Sequence, residues 1–184
     1  MTDHDPFSTE RNSNLWAPWR MDYIRSLPDG IEKDGGCFLC RYRDEPGNDD
    51  ENLVIWRGPR CFAVMNRFPY TGGHSLISPL EHVSSLASLD GATMQEMMEM
   101  TRDLQAALDR ALGAEGYNVG INIGRCAGAG LPGHLHLHIV PRWGGDTNFM
   151  PVFGKVRVIP EALDKILQRL RLAACELDLP KLSP

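Results

Sequence analysis

"LPGHLHLHIVPRW", residues 131–143, sets His134, His136 and His138 two positions apart with apolar residues between them. Side chains alternate faces along a β-strand, so this spacing puts three imidazoles in one row and Leu135, Leu137 and Ile139 on the opposite, core-facing side. Three neighbouring imidazoles buried for packing alone would each need a hydrogen-bond partner, which a core supplies poorly. As metal ligands, a His-x-His pair on a strand is suitable, but a catalytic metal asks for a third ligand and a base as well. As a nucleophilic site the row is self-sufficient. One imidazole attacks while its second nitrogen is held by a hydrogen bond, and a neighbour assists the departing oxygen. Neutral imidazole near pH 7 suits attack on phosphorus.

An electrophilic phosphate needs donors for its oxygens, and "GRCAGAGLPG" at 124–133 lies immediately upstream. Gly124, Gly128, Gly130 and Gly133 allow close backbone approach and N–H nests for an anion. Further back, "CFAVMN" (61–66) and "HSLISP" (74–79) are β-prone runs separated by "RFPYTGG", which reads as two neighbouring antiparallel strands. The charged, turn-forming "RDEPGNDDEN" (43–52) is a solvated loop ahead of "LVIWR" (53–57), and "YNVGINI" (117–123) is another strand. Between the strands, a helix capped at Ser88 or Asp90 places Met94, Met97, Met98, Leu104, Leu108 and Leu112 near one face, as core. Pro160 opens a terminal helix with Leu163, Ile166, Leu167 and Leu170 at helical spacing. The pattern is α+β, a mostly antiparallel sheet with two helices.

The bulk numbers narrow the ligand. With 184 residues the chain has material for one well-cored domain plus arms. A formal charge of -5 supplies no basic field for nucleic acid or anionic lipid, so a polyanion must be recognised locally, as a small phosphorylated ligand. The opening residues lack a leader pattern, and no run nears the roughly 18 apolar residues of a membrane span, so a cytoplasmic protein without membrane partners is expected. Five cysteines argue against a disulfide scaffold. Only Cys37 and Cys40, in "CFLC", stand at metal spacing, and a zinc half-site suits a cytosolic Cys-x-x-Cys with no thioredoxin-like context. Closing such a site takes His74 or His82 together with one histidine of the row. A metal-bound imidazole is no free nucleophile, so the end residue His134 is the better ligand.

"HLHLHIV" matches the pattern His-x-His-x-His-x-x with apolar x, and "VMNRFPYTGGHSLISPLEHVSSL" (64–86) is similar to a first signature strand pair. The chain therefore resembles the histidine triad family of nucleotide hydrolases and transferases. The arm "LWAPWRMDYI" (15–24) and "PRWGGDTNFMPV" (141–152) resemble the bacterial branch that includes diadenosine tetraphosphate phosphorylases. The resemblance implies a five-stranded, mostly antiparallel sheet with a long helix and a C-terminal helix. It implies a tail and docking arm at 1–36, the family domain at 37–145 and an extension with a packing helix at 146–184. The substrate it implies is a nucleoside mono- or polyphosphate, such as a dinucleoside polyphosphate.

By the same resemblance, His136 is the nucleophile that forms a nucleotidyl-histidine, and His138 contacts phosphate and assists the leaving group. Asn66 meets the ribose, Phe38, Leu39, Val64 and Met65 line the base pocket, and Asn122, Gly128 and Gly130 approach the phosphates. A structural zinc is held by Cys37, Cys40, His82 and His134, leaving His74 structural, and a homodimer is expected. Just before the row, many relatives carry Gly-Gln-Ser where this chain has Ala129, Gly130 and Leu131, so backbone amides take over the phosphate contacts. Two competing classes are a metal-dependent hydrolase and a non-catalytic nucleotide-binding or sensing protein. Arg142 is a candidate for a second anion, against a surface salt bridge.

Overall fold

The computed structural model of the protein describes residues 36–146 and 161–182. The arm at 15–24, the proline at 160 and the segment after residue 146 that the sequence singles out fall outside those residues. Five strands, β1 (Val54–Arg57), β2 (Cys61–Met65), β3 (Ser75–Pro79), β4 (Gly116–Ile121) and β5 (Leu137–Arg142), form one sheet in the order β1-β2-β3-β5-β4. Every neighbouring pair is antiparallel. Among the described residues the sheet carries three α-helices: α1 (Phe38–Asp44), α2 (Gly91–Leu112) and α3 (Leu163–Glu176). Among the described residues no helix is long and apolar enough to cross a membrane.

The expected α+β architecture is present, with one more helix than the sequence pattern indicated. α1 is seven residues long and its N-cap, Cys37, makes no side-chain cap. It is too short to show a period and lacks a start signal.

Alternation along the strands divides the apolar residues into two layers. On one face Ala63, Met65, Ile77, Leu137 and Ile139 pack under α2 and α3, against Met97, Met100, Leu104, Leu108, Leu167 and Leu170. On the other, Val54, Phe62, Val64 and Leu76 meet Leu39 and Tyr42 of α1. Fully burying one such side chain stabilises the fold by about 1.5–3 kcal/mol.

α2 begins where Asp90 accepts the Thr93 N–H at 2.7 Å and ends at Gly113, in the left-handed region at φ 62°. Its buried stripe differs from the expected one. Met100, Thr101, Ala107 and Ala111 belong to it, whereas Met94 and Met98 are exposed. At about 100° per residue these two lie roughly 60–100° from Met97 on the flank of the helix, beyond the reach of the sheet. Glu96 is buried on α2 and accepts the N–H groups of Arg60 and Cys61 at 2.8 and 2.7 Å, which fixes the start of β2. β2 in turn leads into the turn that delivers His74.

Candidate active site and metal centre

β5 is the strand on which the site is built, but its ladder starts at Leu137, so His134 and His136 precede it. They are held all the same: Leu135 donates its N–H to Val83 O at 2.6 Å, and Ser78 Oγ donates to Leu135 O at 3.2 Å. Leu135, Leu137 and Ile139 enter the core under α2, as the alternation requires.

The tautomers follow from the partners. His136 Nδ1 lies 2.8 Å from His134 O. A carbonyl only accepts, so Nδ1 carries the proton and Nε2 keeps its lone pair. His136 is 5% exposed, and burial pushes its pKa down, which keeps the imidazole neutral at pH 7.

His74 sets the state of His138. The Tyr70 N–H donates to His74 Nδ1 at 3.1 Å, so the ring proton sits on Nε2, which donates to His138 Nδ1 at 3.0 Å. His138 must then carry its own proton on Nε2, a buried atom without a hydrogen-bond partner among the described residues. Burial and the adjacent His136 push the pKa of His138 down to about 4. The His136 and His138 rings lie edge to face, 4.9 Å apart. The two adjacent rings therefore carry opposite tautomers, a lone pair on Nε2 of His136 and an N–H on Nε2 of His138.

The turn before His74 depends on Gly73. Its φ is +81°, and a Cβ there would meet Leu112 Cδ1 at 2.6 Å. The sequence reading left His74 outside the chemistry. Its spacing from the row carries no signal, because the contact arises from strand pairing between β3 and β5, in which Leu76 faces His138.

The second constellation lies at the start of α1. Cys37, Cys40, His82 and His134 bring four ligand atoms within 4.8 Å of one another. His134 Nε2 donates to Pro79 O at 2.9 Å, so Nδ1 is bare and faces Cys37 Sγ at 3.1 Å and Cys40 Sγ at 3.5 Å. His82 Nδ1 lies 3.2 Å from Cys40 Sγ. Tetrahedral zinc with sulfur and nitrogen arms of about 2.3 and 2.1 Å needs ligand edges of roughly 3.4–3.8 Å, and this cluster is close to that. The carbonyl partner on the second nitrogen of His134 is what orients a metal-binding imidazole. The four residues fit a metal ion. Without one, burial pushes the Cys37 thiol up to about 11, a cost that a thiolate-binding cation removes. His74 is not a member of the cluster.

The residues expected around a nucleotide separate. Phe38, Leu39 and Val64 share the apolar layer under α1, with Phe38 half-buried and the other two closed off. Met65 follows Val64 on the strand, faces the opposite way and packs in the core beneath α2, so it is not brought to that layer. Asn66 Oδ1 accepts the Phe68 N–H at 2.9 Å, an Asx turn, and its Nδ2 lies 3.4 Å from His74 Nδ1. The Asn122 side chain makes no hydrogen bond among the described residues and is half-buried just past β4, which pairs with β5.

In the glycine-rich loop, the Gly128 N–H donates to Arg125 O at 2.9 Å, so this amide closes the loop on itself. Gly130 is half-buried, and a Cβ there would meet nothing within 4 Å, so there is room for a ligand beside its backbone. Leu131 is 4% exposed and packs with Leu39 and Val64. At that position the chain has core, which accounts for the apolar residue. Arg142 is held bidentately by Asp146 at 2.5 and 2.9 Å and by Asn118 Oδ1 at 2.7 Å, the surface salt-bridge alternative.

The model of the HIT domain matches residues 48–145, a span that holds the five strands, α2 and the whole histidine row. The chain belongs to the HIT domain family. It is 37% identical to an AP-4-A phosphorylase of Mycobacterium tuberculosis over 151 residues, 81% of this chain and 77% of that protein. It is 31% identical to the asymmetrical bis(5'-nucleosyl)-tetraphosphatase of Schizosaccharomyces pombe over 93 residues, about half of each. Among solved structures, a zinc-bound histidine triad family protein from Mycobacterium smegmatis superposes with a TM-score of 0.63 at 28% identity, covering 77% of this chain and 95% of that one. This HIT chain thus shares its fold with a relative that holds zinc.

Proposed function

We propose that the protein is a nucleotidyl hydrolase or transferase that cleaves a dinucleoside polyphosphate, such as diadenosine tetraphosphate, at the α-phosphate. The observation that carries the reading is the pair of opposite tautomers: His136 with a bare Nε2, and His138 beside it with an unpartnered Nε2–H. The kinship to an AP-4-A phosphorylase and a bis(5'-nucleosyl)-tetraphosphatase supports the substrate class.

In the first step the His136 Nε2 lone pair forms a bond to the α-phosphorus while the bond to the bridging oxygen breaks. The electron pair leaves with that oxygen, and His138 Nε2–H donates a hydrogen bond to it. The Gly130 amide and the half-buried Asn122 are disposed to hold the non-bridging oxygens. In the second step an oxygen of water or of inorganic phosphate attacks the same phosphorus, and the P–N bond breaks. Water yields a nucleoside monophosphate and phosphate yields a diphosphate, with His136 restored in either case. Phe38, half-buried over the layer that Val64 and Leu39 fill, offers the base an apolar face, and Asn66 offers the ribose its remaining donor and acceptor capacity.

The Cys37, Cys40, His82, His134 cluster would hold a structural zinc, which would join α1 to the segment that carries His136 into β5. Among the described residues β4 is the last strand of the sheet, and its edge, with Val119 47% exposed, is where a second copy would extend the sheet into a dimer. Cys37, Cys40, Cys61, Cys126 and Cys175 form no disulfide, which suits a cytoplasmic, reducing setting.

The test is to mix the protein with labelled diadenosine tetraphosphate, quench in base and isolate an acid-labile nucleotidyl-histidine. The adduct is expected in the wild type and absent in His136→Ala with zinc content unchanged. An adduct in His136→Ala would overturn the assignment. The same reaction run with and without inorganic phosphate separates phosphorylase from hydrolase by whether ADP or AMP accompanies ATP.

A further inference from the structure

β4 carries a glycine that neither its backbone nor its packing requires. Among the described residues Gly120 is the glycine inside a strand, between Val119 and Ile121, whereas Gly116 only opens β4 and the other strands contain none. The φ of Gly120 is outside the left-handed region, and a Cβ built on it would meet nothing within 4 Å. A side chain fits there, and a β-branched one would suit the strand better. A glycine kept inside a strand in this way marks a place where another molecule comes close.

Strand pairing says what it comes close to. His138 pairs with Leu76 of β3 on one side and with Gly120 of β4 on the other, so the three positions share one face of the sheet. Leu76 belongs to the layer under α1, with Val64 and Leu39, which makes this the face assigned above to the nucleotide. At β4 the same face is open, since Asn118 and Gly120 are both exposed. His74, at the start of β3, takes His138 Nδ1 at 3.0 Å, and the two nitrogens of an imidazole lie on opposite edges of the ring. β5 runs between β3 and β4, so the Nε2 edge is turned away from β3 and toward the β4 side. There the Nε2–H lacks an acceptor among the described residues, and the neighbouring strand presents a position without a side chain.

From this juxtaposition we propose that Gly120 determines which leaving groups the site accepts, its missing side chain leaving the room that the first phosphate of the departing polyphosphate occupies beside His138. The inference rests on the dinucleoside polyphosphate reading above and names the residue that admits the polyphosphate. The oxygen that takes the His138 Nε2–H hydrogen bond carries a tetrahedral phosphate with it, and that group needs space on the far side of the oxygen. A side chain at 120 would stand in the same space. A leaving group of one atom would not need it.

Two substrates with one adenylyl group and different leaving groups separate this role from the chemistry. Diadenosine tetraphosphate expels ATP, and adenosine 5'-phosphorofluoridate expels fluoride. In both, His136 Nε2 bonds to phosphorus, while a P–O bond breaks in the first and a P–F bond in the second. The readout is the ratio of the two kcat/KM values, in which effects on the nucleophile or on zinc cancel. Gly120→Val is expected to lower the ratio about tenfold or more, with Gly120→Ala between it and the wild type. Gly116→Val, on the same face of β4 but opposite Arg142, should hold the ratio. Thermal midpoints of the Gly120 variants should equal or exceed the wild type, because the added side chain meets no clash and suits a strand. A Gly120→Val ratio equal to the wild type overturns the proposal while the nucleotidyl reaction stands, and so does an equal fall with Gly116→Val. A lowered midpoint or an altered oligomeric state in the Gly120 variants also overturns it, by giving the glycine to the fold or to a contact between copies. A wild type that turns over neither substrate, or the fluoridate alone, overturns the functional reading itself.

Discussion

His74 Nε2 lies 3.0 Å from His138 Nδ1, and the Tyr70 N–H on the far side of His74 decides which way the proton points. The direction matters because it leaves His138 a donor at Nε2, while His136, two residues earlier, is an acceptor at its own Nε2. His74 is therefore a positioning residue that acts through His138. His74→Ala is expected to lower kcat by about tenfold or more, with a smaller change in KM, because it releases the His138 tautomer without touching the base layer. His74→Gln, whose amide can donate to His138, should recover part of the loss. A His74→Ala enzyme with wild-type kcat would sink the relay.

The sequence reading and the structure part ways at this residue for a physical reason. The row His134, His136, His138 was legible because a period of two is a property of the chain itself. The CxxC pair was legible for the same reason, as were the strands and the long helix. His74 meets His138 through β3–β5 pairing across 64 residues, and no local pattern encodes that register. Strand phase likewise separates Val64 from Met65: the run "CFAVMN" is apolar on both faces, so nothing in it says which neighbour faces α1 and which faces α2. The seven residues of α1 are too few to carry a helical period.

Leu131 offers a test of why this chain departs from Gly-Gln-Ser before the row. It is 4% exposed against Leu39 and Val64. Leu131→Ser would leave a cavity and bury a hydroxyl without a partner, and should destabilise by about 2–5 kcal/mol. Urea denaturation measures this directly. A loss under about 1 kcal/mol, accompanied by a changed substrate preference, would place Leu131 at the phosphates instead.

Metal loading should be visible as stability. A ligand that binds only the folded chain stabilises it by RT ln(1 + [L]/Kd), about 4 kcal/mol at a thousandfold excess over Kd. Zinc added to chelator-treated protein should raise the thermal midpoint and bind at one equivalent by elemental analysis. Cys37→Ser with Cys40→Ser should abolish both effects, and His82→Ala, which removes the exposed ligand, should weaken them. Equal zinc content in the double variant would remove the cluster from consideration.

The buried imidazoles give stability a definite pH direction. Burial lowers the pKa of His138 to about 4, from about 6.5 in the unfolded chain. Between those values the unfolded state binds the proton and the folded state does not, so stability is complete above pH 6.5 and declines as pH falls toward 4. Thermal midpoints measured from pH 7.5 to 4.5 should fall, and His138→Asn should show a shallower fall than the wild type. Parallel slopes for the two proteins would mean that His138 is protonated in the fold.

Among the described residues β4 ends the sheet, and its strand residues Asn118, Val119 and Gly120 are exposed. An edge of this kind, with β-prone sequence and an exposed valine, pairs with another strand unless charge prevents it. Light scattering after size exclusion should give a dimer for the wild type. Val119→Lys places a positive charge on the edge, directly opposite its own copy in a symmetric antiparallel pairing centred there, and should shift the protein to monomer. His136 and His138 lie one strand inward on β5 and its approach, so the monomer should retain the ability to form the nucleotidyl adduct. A monomeric wild type would rule out the edge-paired dimer, and a dimeric Val119→Lys would move the interface elsewhere, to a surface such as the exposed Met94 and Met98 flank of α2.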